Sequence, residues 1–116
     1  MTEQKDKRIW KLRTVKNYPE AHNHLFIGQV LGLTQSYVRL DCRTYHYGNA
    51  INNVKDIREG TKGIRILPWN RIELINEFPS SFDYSQADII SNKDGKIALS
   101  DGNIDCVLSS SYDNKY

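Results

Sequence analysis

The sequence predicts a mainly β fold: a small, strongly bent barrel over residues 22–78, preceded by a basic N-terminal segment (1–21) and followed by a C-terminal β-meander extension (79–116). Three observations predict it. Apolar side chains alternate at period two through residues 26–40 and again through residues 64–75, without the i, i+3, i+4 spacing of a helix. Each run is interrupted once by a short break, Thr34-Gln35-Ser36 in the first and Pro68-Trp69-Asn70-Arg71 in the second. Beyond Pro79, Asp94-Gly95 and Asp101-Gly102 punctuate further short apolar runs, and such pairs favour hairpins because the turn needs a positive φ.

The N-terminal segment carries Lys5, Lys7, Arg8, Lys11, Arg13 and Lys16 against Glu3 and Asp6. It reads either as a solvated terminus or as an arm adding salt-sensitive affinity for a polyanion. Within it, residues 8–15 suit a strand and a short helix about equally, and Pro19 ends the element in both cases. His22 and His24 are expected at the turn into the first barrel strand. With His46 they make a set of three histidines, but the fixed ligand spacing of a zinc site and the oriented base of a catalytic one are missing, so no metal is assigned.

The first barrel run reads as two strands joined across residues 34–36. In the second of these, Val38, Leu40 and Cys42 share one face, while Tyr37, Arg39, Asp41, Arg43, Tyr45 and Tyr47 share the other. The first set is core. The second, with aromatics between arginines, fits a nucleic-acid-binding face as well as a solvated sheet face with cross-strand aromatic pairs. Residues 48–60 form a polar connection anchored by Val54 and Ile57, and Ile64–Leu67 and Ile72–Leu74 are the next two strands.

The extension reads as a meander: residues 88–91, a turn at 92–95, residues 96–100, a turn at Asp101-Gly102, and residues 103–109, with 110–116 loose. It suits covering one barrel face, mediating assembly or filling a partner's groove. Cys42 and Cys106 lack any CxxC or Cys-x-His context and are expected as small core residues in a reducing compartment. The first residues are charged and no apolar run approaches the ~20 residues of a membrane span, so a cytoplasmic protein is expected, with no membrane partner. Neither a paired nucleophile and base nor a phosphate-cradling glycine loop is visible, so no enzyme and no cofactor is expected.

Gly28, Val30, Leu33, Val38 and Leu40 follow the spacing G-x-h-x-x-h-x-x-x-x-h-x-h, and about thirty residues later comes Leu67-Pro68-Trp69-Asn70-Arg71-Ile72. Over residues 22–78 this resembles the two signature motifs of the Sm-like family, the Sm and Hfq proteins, whose barrel is of the SH3 type. Thr34, Val38, Pro68 and Trp69 depart from that pattern, standing where an Asp, an Asn, a basic residue and a Gly or His are usual. The resemblance implies a non-catalytic single-stranded RNA-binding protein acting as a homo-oligomeric ring, with U- or A-rich RNA as the partner. By position it implies base contacts from Gln35, Ser36 and Tyr37 in the first loop and Trp69, Asn70 and Arg71 in the second. The alternative is a structural or scaffolding small barrel that assembles or binds protein without RNA, since one fold hosts many functions.

Overall fold

A computed structural model of the chain describes residues 7–17, 21–48, 51, 53–91 and 96–109. The strands are β1 (Ile9–Thr14), β2 (Asn23–Leu33), β3 (Tyr37–Tyr47), β4 (Ile57–Glu59), β5 (Gly63–Pro68), β6 (Ile72–Phe78), β7 (Asp88–Ser91), β8 (Ile97–Ser100) and β9 (Asp105–Ser109). Among the described residues there are also two short 3-10 turns, Val54–Asp56 and Trp69–Arg71. The fold is thus mainly β, with all strand pairs antiparallel. The first six strands form one sheet in the order β4-β3-β2-β1-β6, with β5 also paired to β3, and the last three form a separate sheet, β7-β8-β9. Lys5, Pro19, the turn at 92–95 and residues 110–116 lie outside the described residues.

The sequence left residues 8–15 open between strand and helix and set them in a segment apart from the barrel. They form β1, which lies between β2 and β6 inside the sheet. A central strand must bury both faces. Ile9 and Leu12 do so, each fully buried and each in a different core cluster.

β2 and β3 approach closely and break register on the way to their turn. At Gly28 the strands approach so closely that a Cβ would collide with the Asp41 carbonyl and reach within 2.6 Å of Cys42 Cα, which is why this position carries glycine. Between Val30 and Gly32 the register slips, and such a bulge sharpens the local twist. Thr34 then closes the turn, its Oγ1 accepting from the backbone N–H groups of Ser36 and Tyr37 at 3.0 Å each.

The sheet buries side chains on both faces. On the front, Leu12, Val38, Leu40 and Cys42 are buried, with Trp10, Phe26, Leu67, Trp69 and Ile72 packed around them. On the back, Ile9, Leu25, Ile27, Tyr45 and Tyr47 meet Phe82, Tyr84, Ala87, Ile97, Leu99 and Cys106 of the extension. The extension therefore covers one face of the sheet. This corrects the reading of Tyr45 and Tyr47 as members of an exposed face: both are buried, and burial pushes their hydroxyl pKa values up. Tyrosine fits either setting, and the extension decides between them. The anchors of the 48–60 connection also change, because Ile51 and Ile57 are buried while Val54 is exposed.

Arg43, also expected on an open face, fastens the extension. Its Nη1 donates to the carbonyls of Ala87 at 2.6 Å and Tyr84 at 3.0 Å, and its Nη2 pairs with Glu59 at 2.6 Å. Tyr84 returns the link by donating its hydroxyl to Asp41 at 2.8 Å. In the β8–β9 turn, Gly102 has φ +96°, and the Asp101 carboxylate accepts from the amides of Asp83, Asn103 and Ile104 at 2.7–2.9 Å. Those bonds, that of Asp83 first, lower the Asp101 pKa. Cys42 and Cys106 are free and buried in different clusters, and burial raises each thiol to about 11.

Two edges remain. Among the described residues β5 pairs with β3 alone and β6 with β1 alone. Ile64 and Ile66 on β5 are more than half exposed, and Leu74 on β6 is also exposed.

Candidate nucleic-acid interface

The β2–β3 turn and the turn between β5 and β6 come from segments more than thirty residues apart, yet they lie side by side. The reason is Trp69. Its backbone N–H donates to the Ser36 carbonyl at 3.1 Å, and its indole Nε1–H donates to the Thr34 carbonyl at 2.7 Å. Its ring packs against the front cluster. Pro68, which has no N–H to give a ladder, sits opposite Tyr37 at the end of β5 and leads the chain into the 3-10 turn.

All six residues expected at the site belong to this pair of turns or adjoin it. Gln35, Ser36, Asn70 and Arg71 are exposed, Tyr37 is half-buried at the start of β3, and Trp69 is half-buried. Their roles differ from an even set of base contacts. Trp69 is committed to holding the turns together, whereas Gln35, Ser36 and Asn70 offer amide and hydroxyl groups able to meet a base edge. Tyr37 and Arg71 supply a ring and a cationic plane.

Arg71 points the site toward a second feature. Its Nη1 donates to Asn17 Oδ1 at 3.4 Å, and its carbonyl accepts from Val15 N–H at 2.8 Å. Together with Lys16, His22, His24 and His46 it lines a cleft of about 470 Å³. The three histidines meet here because His24 and His46 are direct partners across β2 and β3, and His22 lies two residues before His24. His24 is itself within β2 rather than in a turn before the strand. His22 Nδ1 and His46 Nδ1 are 3.3 Å apart, and the His24 and His46 rings stack with centroids 5.7 Å apart. Burial lowers the His24 pKa, and the neighbouring His46 and His22 lower it further.

Among the described residues no group of three or more His, Cys, Asp or Glu side chains is arranged to hold a metal ion. No helix there is long and apolar enough to cross a membrane. The sequence named the histidines but gave no sign that they would stand beside Arg71. That proximity depends on β1 passing between β2 and β6, and nothing in residues 8–15 announces it. No protein-family model matches the chain, and neither a curated protein nor a solved structure matches it.

Proposed function

We propose that this protein is a non-catalytic single-stranded RNA binder of the Sm-like type, acting as a homo-oligomeric ring in the cytoplasm. The observation that carries the reading is the locked pair of turns, which presents Gln35, Ser36, Asn70 and Arg71 to solvent beside Tyr37. Unpaired bases can reach such a surface, whereas a duplex offers chiefly its backbone and 2′-hydroxyls. Assembly draws support from the two sheet edges. If β5 of one copy joins β6 of the next, both edges gain partners and the exposed Ile64, Ile66 and Leu74 have a surface to cover them.

Fluorescence anisotropy with labelled U-rich, A-rich and duplex RNA tests the binding. Tight binding of a single strand over the duplex is expected. Tyr37→Ala should weaken it about tenfold, in line with about 1–3 kcal/mol per stacked base. Arg71→Ala should weaken it and flatten the slope of log affinity against log salt. Light scattering tests the assembly, for which a closed ring of about five to seven subunits is expected by resemblance to the family.

A scaffolding role is the second reading, and one observation favours it: Trp69, the largest ring in the two turns, is engaged through its Nε1 with Thr34 and packs on the front cluster. Equal affinity for single-stranded and duplex RNA, unchanged by Tyr37→Ala and Arg71→Ala, would replace the RNA reading with this one.

A further inference from the structure

The cleft beside Arg71 has a charge pattern that the two turns do not explain. Among the described residues, every ionisable side chain lining it is a base: Arg71, His22, His24, His46 and Lys16. Arg58 extends the row, standing directly across from His46 on β4, and residues so opposed project on one face. The described carboxylates of the adjoining strands are engaged elsewhere, Glu59 by Arg43, Glu73 by Arg13, Asp41 by Tyr84 and Glu77 by Trp10. A cleft lined by bases concentrates anions and repels cations. Burial, with His46 and His22 close by, holds the His24 pKa down, and an anion bound beside it would favour its protonated form. The His22 and His46 Nδ1 atoms, 3.3 Å apart, can form a hydrogen bond only if one carries a proton and the other does not.

We infer that this cleft is a proton-coupled phosphate site, seating one phosphate group of the single strand held at the two turns and tightening as its histidines take up protons. The inference rests on the RNA reading for the source of the phosphate, and Arg71 links the two features. A strand crossing the turns would bring its backbone past Arg71, and the histidines line the same cleft. The cleft contains all three histidines of the chain, so proton uptake by any of them is proton uptake here.

Two measurements test this. In the first, the affinity of a short single-stranded oligonucleotide is measured at constant salt between about pH 7.5 and about pH 5.5, the range in which histidine titrates. The affinity should rise about tenfold on acidification, as charge-assisted hydrogen bonds to phosphate form. The double variant His22→Asn, His46→Asn should lose most of that rise. In the second, the histidine ring resonances are followed by NMR at about pH 6 as inorganic phosphate is added, with chloride at matched ionic strength as the control. Saturable shifts with phosphate alone are expected.

If the oligonucleotide fails to bind at either pH while phosphate still shifts the rings, the cleft stands as a phosphate site and the RNA reading falls. An oligonucleotide that binds equally at both pH values, with rings unmoved by phosphate, overturns the inference and leaves the RNA reading intact. Rings that ignore phosphate but shift with stoichiometric zinc overturn it in favour of a metal site.

Discussion

The two faces of the six-stranded sheet are built to different ends. Among the described residues the back cluster contains thirteen buried residues and the front four, so most of the burial that opposes chain entropy lies at the back. The back is sealed by the extension and fastened by Arg43 and Tyr84. The front is rimmed by half-buried side chains, two unpaired edges, the paired turns and the histidine cleft. Recognition is cheapest where little has to be unpacked, and here the surfaces available for binding lie away from the packing that maintains the fold.

The largest test of this contrast is Phe82→Ala. Phe82 is fully buried between the extension and the sheet, and its truncation should cost about 3–5 kcal/mol in chemical denaturation. Molecules that remain folded should keep the binding properties of the front turns. A matching loss of affinity in folded protein would show that the faces are coupled.

Arg43→Met comes next. It removes the donors to the Tyr84 and Ala87 carbonyls and leaves Glu59 without its partner, so a loss of about 1–3 kcal/mol is expected. Hydrogen exchange should place the loosening in residues 82–91, with the β2–β3 turn unaffected.

Trp69→Phe probes the front. It keeps an aromatic ring in the cluster but loses the indole bond to Thr34, at a cost of about 1 kcal/mol to stability. On the proposed RNA reading, its loss in binding free energy should exceed its loss in unfolding free energy, because the bond positions the turns more than it supports the core. Equal losses in the two would place Trp69 with the back-cluster residues in kind.

The smallest effect is expected at Tyr45→Phe. The Tyr45 hydroxyl is buried and finds no hydrogen-bond partner among the described residues. Deleting it should leave stability unchanged or raise it by up to about 1 kcal/mol, read as a shift in the denaturation midpoint.

Period-two alternation marked β2, β3, β5 and β6, and the Thr34-Gln35-Ser36 and Pro68-Trp69-Asn70-Arg71 breaks marked the turns between them. The short apolar runs beyond Pro79 located β7, β8 and β9, and Asp101-Gly102 marked a turn. These are local properties: strand pleat and turn φ depend on neighbours a few residues away. The six expected site residues were also named from sequence, through motif position, though their division into a structural Trp69 and exposed neighbours was not.

Only tertiary structure decided the rest. It inserted β1 between β2 and β6, although its alternation suited a helix nearly as well. It turned Tyr45, Tyr47 and Arg43 toward the extension, because the partner that buries them is supplied some forty residues later. It gathered His22, His24 and His46 beside Arg71 through strand register, which pairs residues by their place across the sheet rather than along the chain. A pattern in sequence says which side chains share a face; what covers that face is settled by the packing of distant segments.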